Sequence, residues 1–188
     1  MNEPTGIQRL TVGPVATNCY LLRGPEGVVI VDPGEEAERI RAACEDHIAG
    51  ILLTHGHFDH IGAVRALMAE DTALYIHPLD EELLGDPEKN ASWMIGTPVT
   101  APSPTGYAED GQTIRCGGLD FRVWHTPGHT KGSVCYECGG LLLTGDTIFN
   151  GGYGRTDLYG GSDNQMMASL KRMQPLRRTH TILPGHGG

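Results

Sequence analysis

The sequence predicts an α/β fold in a single domain. Short apolar runs that end at glycine or proline turns are typical of buried strands. In the first half of the chain such runs alternate with helical patterns, and the second half returns mainly to strands. At 188 residues the chain is long enough for one core, and no repeat, linker or low-complexity segment divides it. We therefore expect one domain over residues 1–188.

The first half is predicted to contain four strands and two helices. A helix over 35–47 is indicated by a modest apolar stripe, with acidic residues in its first turn and His47 in its last. Residues 61–70 also have apolar side chains at helical spacing. The predicted strands cover residues 7–12, 19–23, 27–31 and 50–53.

The middle of the chain has less regular patterns. A short strand over 74–76 and a small helix over 80–84 precede a polar segment, residues 85–110, that several prolines interrupt. A loop of this length inside a compact domain is usually functional or disordered. We interpret it as a flap and expect Trp93 to anchor it.

Strands return over residues 112–116, 119–125, 133–138, 141–144 and 181–183. Gly139 and Gly140 form a two-residue hairpin turn that pairs Cys138 with Leu141. This register places Asp146 near the beginning of the hairpin. A helix opens at residues 162–165, and its apolar stripe, which we assign to the core, comprises Met166, Met167, Leu170 and Met173.

A histidine-rich segment follows the 50–53 strand. It places His55, His57, Asp59 and His60 within six residues. On an extended backbone the first three side chains point the same way, whereas His60 approaches from another angle at the start of the helix. An ordinary polar loop would leave these imidazoles repelling one another when protonated. The spacing therefore predicts a metal site.

Three later residues are further potential ligands, because each lies on a loop at the end of a predicted strand. They are His129, Asp146 and His186. Seven potential ligands are too many for one tetrahedral site, so we expect two metal ions. Imidazole and carboxylate ligands suit zinc, which we expect, and also iron and manganese. Asp32 either orients a ligand imidazole or serves only the turn that Pro33 and Gly34 form.

These seven residues resemble the ligand pattern of the metallo-β-lactamase superfamily, over residues 32–186. The resemblance implies a four-layer αββα sandwich of two mixed β-sheets flanked by helices, with the ligands along one edge of the sheets. It implies one metal held by His55, His57 and His129, and a second held by Asp59, His60 and His186, with Asp146 bridging them. Gly-Arg-Thr-Asp at 154–157 and Pro-Gly-His-Gly at 184–187 are similar to the single-domain glyoxalase II group, or hydroxyacylglutathione hydrolase-like enzymes.

The expected reaction is hydrolysis of a thioester such as S-lactoylglutathione. Two metals about 3.5 to 4 Å apart can share a water whose pKa falls from about 15.7 towards 7. The resulting hydroxide would attack the carbonyl, and Asp59 would accept its hydrogen bond and direct it. A leaving thiolate with a pKa of about 8.5 needs little protonation, so no general acid is required.

Substrate binding is assigned to Arg155 and Tyr153, in the glycine-rich loop after Asp146. The chain has 23 acidic and 14 basic side chains, so its average field repels an anion and a local cation must attract one. The alternative is an ion pair between Arg155 and Asp157 that holds the loop. Two-domain glyoxalase II enzymes have Lys and Tyr at the positions of Arg155 and Asp157. In those enzymes a C-terminal helical domain supplies part of the glutathione site.

Three other functions fit parts of the pattern. A mononuclear iron persulfide dioxygenase shares a similar Gly-Arg-Thr-Asp stretch, although the Pro-Gly-His ending favours a hydrolase. A hydrolase of another ester or lactone is a second alternative. A metal-binding domain without catalysis is disfavoured, because every ligand position is filled.

Composition argues against several partners and locations. A formal charge of −9 argues against nucleic acid, whose binding depends on Lys and Arg. The start, residues 1–6, lacks the features of a signal peptide, and no apolar run is long enough to span a membrane, so we expect a cytoplasmic protein without a membrane partner. An odd number of scattered cysteines, five, suits a reducing compartment.

Some potential ligands receive a structural interpretation. Cys135 and Cys138 are three residues apart on one strand, hence on opposite faces, and we assign them to the core. His125 is assigned to a supporting or core position beside the ligands. His77 and His180 are expected at the surface.

Overall fold

The computed structural model of the chain describes residues 3–187, so the first residues of the polar start at 1–6 and the final residue of the predicted domain lie outside it. The strands are β1 Gly6–Val12, β2 Thr17–Gly24, β3 Gly27–Val31, β4 Ile48–Leu52, β5 Ala73–Ile76, β6 Gly106–Tyr107, β7 Thr113–Cys116, β8 Leu119–His125, β9 Val134–Cys138, β10 Leu141–Gly145 and β11 Thr181–Pro184. The α-helices are α1 Ala37–Cys44, α2 Phe58–Ile61, α3 Val64–Leu67, α4 Glu81–Gly85 and α5 Asp163–Met173. Short 3-10 turns cover Pro78–Asp80, Ser92–Ile95 and Leu176–Arg178.

The strands form two mixed sheets. One has the order β1-β2-β3-β4-β5-β6, antiparallel from β1 to β3 and parallel from β3 to β6. The other has the order β11-β10-β9-β8-β7, in which only the β10–β11 pair is parallel. The predicted hairpin register is confirmed, since Cys138 pairs with Leu141.

The core lies in three layers between and outside the sheets. Val29 and Val31 of β3 face the other sheet, whose Phe121 and Tyr136 are fully buried. Ile30, on the opposite face of β3, packs in the cluster to which α1 and α3 contribute. On the outer face of the second sheet, α5 and its Met173 complete the packing. The predicted αββα sandwich is therefore confirmed.

The first two helices are shorter than predicted. Helix α1 is flanked by Glu36 and Glu45, whose φ angles of 58° and 57° are left-handed and end the helix on both sides. In place of the predicted helix over 61–70, the chain has α2, which ends at Ile61, and then the short α3, with Gly62 between them. A methyl group on Gly62 would lie 2.2 Å from the carbonyl oxygen of Gly34, so the chain passes too close to the 32–34 turn for a regular side chain.

The prediction that Trp93 anchors the 85–110 segment is wrong. Trp93 is 61% exposed, whereas Asn90 is fully buried. The Asn90 amide donates to the carbonyls of Leu83 and Val99, and its oxygen accepts from the backbone of Ser92. A segment with few regular elements must satisfy its buried backbone groups through side chains, and a primary amide both donates and accepts.

Two details of side-chain placement bear on the sequence-based assignments. Cys135 and Cys138 are both buried and belong to different core clusters on opposite faces of β9, as predicted. On α5, Met166 and Met173 are buried, but Met167 is 45% exposed and does not belong to the core stripe. Within residues 3–187, no helix combines the length and apolar character needed to cross a membrane.

Candidate metal centre

The seven predicted ligands come together at one edge of the two sheets. The histidine-rich segment follows β4 and ends in α2, Asp146 follows β10 and His186 follows β11. His129 lies on the loop between β8 and β9. Three groups have ligand atoms within 4.8 Å of one another: His55 with His57 and His129, His55 with His60 and Asp146, and Asp59 with His60 and His186.

The Asp146 carboxylate lies between the two sides of this cluster. Its Oδ2 is 3.4 Å from His129 Nε2 and 3.5 Å from His186 Nε2, and its Oδ1 is 3.5 Å from His60 Nε2. On one side, His57 Nδ1 is 2.9 Å from His129 Nε2. One carboxylate thus reaches both groups of imidazoles.

Backbone carbonyls hold two of the rings from outside the cluster. His129 Nδ1 donates to the carbonyl of Arg155 at 2.6 Å. His186 Nδ1 donates to the carbonyl of Val15 at 3.1 Å. Because each Nδ1 carries the proton, each Nε2 presents a lone pair to the centre, which is the tautomer that a metal ligand requires.

Asp32 organises two further rings. Its Oδ2 accepts a hydrogen bond from Thr54 Oγ1 at 2.6 Å and lies 3.0 Å from His60 Nδ1. Since the Thr54 hydroxyl proton is used on Asp32, its oxygen is left to accept from His55 Nδ1, 3.1 Å away. Of the two interpretations of Asp32, its contacts favour the orienting role. Its backbone is left-handed, with a φ of 53°.

The buried donor atoms fit a metal centre. Asp146 Oδ1 and the Nε2 atoms of His55 and His57 are buried and have no hydrogen-bond partner. A buried polar atom without a partner is costly, and bound cations would remove that cost here. Burial, together with neighbouring imidazoles, lowers the pKa of His55 and of His57, so both rings are neutral at pH 7, as ligands must be.

The carboxylates make this site strongly attractive to positive charge. Burial alone would lower the pKa of His60, but Asp59, Asp32 and Asp146 raise it to about 10. Burial opposes the ionised form of Asp59, yet His60 and His186 bring its pKa below the usual range. The carboxylates therefore favour positive charge at this position, which divalent metals would supply.

Several supporting residues carried no sequence motif. Thr17 Oγ1 donates to Asp59 Oδ2 at 2.9 Å. Asp80 is fully buried and accepts from the backbone nitrogens of Gly56 and Gly132, so it links the two histidine loops. Only the contacts between distant segments identify them, because each is an ordinary polar residue in its local sequence.

Glycines let the backbone approach the cluster. A methyl group on Gly185 would lie 2.3 Å from Asp146 Oδ1, and one on Gly154 would lie 2.2 Å from the Asp146 carbonyl oxygen. These distances are too short for any other residue, so both loops pack directly on Asp146.

The two predicted substrate-binding residues differ in their relation to the mouth of the centre. Arg155 lines the mouth, but one edge of its guanidinium makes a bidentate pair with Asp157, Nε to Oδ1 at 2.7 Å and Nη2 to Oδ2 at 2.8 Å. The structure thus contains the ion pair that is expected if Arg155 holds the loop. Tyr153 is 48% exposed and is not among the described residues that line the mouth.

Three of the four histidines outside the ligand groups received a structural interpretation from the sequence. His125 Nε2 contacts the carbonyl of Lys131, and its ring stacks on His77 with centroids 4.1 Å apart. The surface prediction for His77 is wrong, since stacking leaves the residue only 7% exposed. His180 is partly buried, 3.3 Å from Glu137. A histidine next to a proline or a strand start gives no local sign of such packing.

Known proteins are similar to this chain over most of its length. Probable metallo-hydrolase YqgX of Bacillus subtilis is 36% identical over 188 residues, covering 96% of this chain and 89% of that protein. A hydroxyacylglutathione hydrolase of Xanthomonas campestris is 34% identical over 183 residues, covering 95% of this chain and 64% of that protein.

Solved structures show the same fold. The BLEG-1 B3 metallo-β-lactamase has 36% identity and a TM-score of 0.91, covering 97% of this chain and 92% of that one. TTHA1623 in a di-iron-bound form has 38% identity and a TM-score of 0.86, covering 96% and 92%. ETHE1 from Myxococcus xanthus has 27% identity and a TM-score of 0.76, covering 98% and 76%.

The sequence model of the metallo-β-lactamase superfamily matches residues 12–186, a span that contains all seven potential ligands. Members of the superfamily typically bind divalent metals, and one relative above holds two irons. With the αββα sandwich and the His and Asp cluster at its edge, the matches lead to one conclusion: the chain belongs to the metallo-β-lactamase superfamily of metal-dependent hydrolases.

Proposed function

We propose that the chain is a dinuclear metal-dependent hydrolase of thioesters, of the glyoxalase II-like group, with S-lactoylglutathione as a representative substrate. The observation that carries the proposal is the position of Asp146 between two groups of imidazoles. The similarity to a hydroxyacylglutathione hydrolase supports the substrate class. The chain spans 64% of that protein, so the proposal transfers the reaction and not its full substrate recognition.

The contacts support the ligand roles that the family resemblance implies. His55, His57 and His129 would hold one ion, and Asp59, His60 and His186 the other, with Asp146 shared. Two divalent ions bound there would lower the pKa of a water molecule and polarise the thioester carbonyl. We propose zinc, with iron or manganese compatible with the same ligands.

Asp59 is the proposed catalytic residue. Its low pKa keeps the carboxylate ionised, and the hydroxyl of Thr17 fixes its orientation at 2.9 Å. From this position it accepts a hydrogen bond from the attacking water and aims the oxygen at the carbonyl carbon. A carbon–oxygen bond forms, the carbon–sulfur bond breaks, and the sulfur leaves as a thiolate that then takes up the proton lost by the attacking water.

The setting of the enzyme is also part of the proposal. The five cysteines are all free and buried, which supports the reducing cytoplasm. The three core clusters belong to one pair of packed sheets, which supports a single domain. The substrate is a small molecule, and the acidic charge does not favour nucleic acid.

Elemental analysis of protein purified without added metal, combined with a thioester assay, tests the proposal. We expect two metal ions per chain and hydrolysis of S-lactoylglutathione or a simple acyl thioester. Asp59→Asn, assayed at saturating metal, should lower kcat by at least about 100-fold. Its metal content is measured alongside, because Asp59 is also a proposed ligand. A protein with one iron per chain that consumes oxygen with glutathione persulfide would instead establish the dioxygenase alternative.

A further inference from the structure

A cavity of about 280 Å³ lies beside the metal centre. Its walls come from the 12–17 loop after β1, the turn at 34–35, the start of α2 and the 95–99 part of the flap. Val15, Phe58 and Asp59 line both this cavity and the mouth of the metal centre. A substrate whose carbonyl lies at the metal ligands can therefore extend directly into the cavity.

The walls of the cavity are mainly apolar. Val12, Val15, Phe58, Ile95 and Val99 contribute hydrocarbon surface. Among the side chains that the structure places in its lining there is no Lys or Arg, and the charged groups are the carboxylates Glu35 and Asp59. Such walls favour an uncharged hydrocarbon group and repel an anionic one.

The mouth of the centre has a second part with a different character. Arg155 and Leu158 line it, and Arg155 is paired with Asp157. A thioester places its acyl group on one side of the carbonyl and its sulfur on the other. The apolar cavity therefore suits the acyl side, and the rim with paired charges suits a polar thiol.

We propose that this cavity binds the acyl group of the substrate, and that this group is an uncharged hydrocarbon chain longer than lactoyl. The proposal rests on the proposed thioester hydrolysis and specifies its substrate class. A volume near the lower end of the range for ligand sites, roughly 300 to 1,000 Å³, suits a medium-length chain. Ile95 contacts the acyl chain and sets the preference for its length. The carboxylate of Glu35 disfavours an acyl group that carries a negative charge.

Binding of ketone analogues tests the cavity without requiring turnover. The analogues carry CH₂ in place of the sulfur of acyl-N-acetylcysteamine, with acyl chains of two, four, six and eight carbons, and calorimetry of the metal-loaded protein gives Kd. We expect each added CH₂ to lower Kd about three- to fourfold until the cavity is full. Lengthening the thiol side of the two-carbon analogue should leave Kd within about twofold. A flat acyl series, or a gain only on the thiol side, overturns the proposal.

A matched pair of variants identifies the wall. Ile95 and Ile7 are both 44% exposed, but only Ile95 lines the cavity. Ile95→Ala should raise the Kd of the eight-carbon analogue at least about fivefold and leave the two-carbon analogue unchanged, whereas Ile7→Ala should change neither. Equal effects of both variants contradict the assignment.

Charge at the wall has its own test. Glu35→Lys should lower the Kd of a glutaryl analogue, which ends in a carboxylate, at least about tenfold relative to the wild type. No change with glutaryl contradicts the role of Glu35. Thioester turnover is measured in parallel. Length-dependent binding without hydrolysis contradicts the proposed function but not the binding of acyl groups in the cavity. Hydrolysis with a Kd that does not depend on acyl length contradicts only the proposed role of the cavity.

Discussion

At the scale of single residues, the chemistry of the centre depends on how each polar atom is satisfied. Asp146 Oδ1 is buried without a hydrogen-bond partner, and its Oδ2 contacts imidazoles on both sides of the cluster. The His77 ring is stacked and buried, and Asp110 offsets only part of the effect of burial on its pKa. The position of Asp146 among the imidazoles therefore attracts cations, whereas the buried His77 ring resists protonation.

Asp146→Ala should remove metal as well as activity. Loss of the shared carboxylate leaves both groups of imidazoles without their common negative charge, so we expect metal affinity to fall by more than about 100-fold. The control is His125→Ala, which removes a ring that contacts Lys131 and His77 but no ligand. Metal content by elemental analysis should separate the two, and equal metal loss in both variants would show that the ligands are misassigned.

His77 should make the protein less stable in mild acid. Burial, reinforced by His125, lowers the pKa of His77 to about 4, whereas the unfolded value is about 6.5. Between these values the unfolded chain binds a proton that the folded chain does not, so stability falls as the pH drops from about 6.5 to 4. His77→Asn keeps an acceptor for the backbone nitrogen of Leu79 and removes the titration.

As the pH falls from about 6.5 to 4, the free energy of unfolding should decrease by about 1 to 2 kcal/mol less in His77→Asn than in the wild type. This value allows for solvent screening. Urea unfolding of both metal-loaded proteins at pH 7 and pH 4.5 measures this difference. Parallel losses in the two proteins would rule out His77 as the titrating group.

At the scale of elements, Asp80 links the loop that carries His55 and His57 to the loop that carries His129. Asp80 itself belongs to neither loop. Asp80 ends the 3-10 turn before α4 and accepts from Gly56 in one loop. It accepts from Gly132 and from the Thr130 hydroxyl in the other. Burial raises its pKa, although these hydrogen bonds oppose the shift. The geometry of the ligands therefore depends on a contact across more than 50 residues of sequence.

Asp80→Ala should loosen both loops together. Three buried donors lose their acceptor, which should cost about 3 kcal/mol of unfolding free energy and weaken metal binding. Asp71→Ala is the control, because Asp71 is largely exposed and its contact with His47 is 3.9 Å long. Denaturant unfolding and metal titration measure the two effects. Unchanged metal affinity in Asp80→Ala would show that Asp80 stabilises the fold without positioning the ligands.

At the scale of the whole molecule, the centre joins the two sheets and the end of the described chain. Asn18 and Tyr20 of β2, in the first sheet, bond the backbone around Pro184, which ends β11 of the second sheet. The backbone nitrogen of Asn18 also donates to Gly185. His186 is therefore held by these contacts in addition to any bound metal.

Removal of metal should destabilise the entire domain. A ligand present at about 1,000 times its Kd adds roughly 4 kcal/mol of stability, and each kcal/mol corresponds to about 2 to 4 °C for a protein of this size. Chelation should therefore lower Tm by about 10 °C, and added zinc should restore it. A Tm that does not respond to chelation, in protein shown to lose its metal, would contradict the coupling.

Asn18→Ala tests the attachment of the tail. Without the amide, His186 loses part of its support, so we expect the metal held by Asp59, His60 and His186 to bind at least about tenfold more weakly. The other site should change little. Asn164→Ala, on the exposed side of α5, is the control. Stepwise metal titration distinguishes the two sites, and equal weakening at both would show a general loss of stability.

The sequence alone determined the α/β class, the hairpin register and the seven residues of the cluster. Each depends on local information: strand patterns repeat every two residues, two glycines set a turn, and ligands follow the ends of strands. Only the tertiary structure decided that Asn90 and not Trp93 holds the flap, that Arg155 is paired and that His77 is buried. It also revealed Asp80, Thr17 and the apolar cavity. These features depend on contacts between segments far apart in the chain, and burial and pairing belong to the packed arrangement and not to any residue in its local sequence.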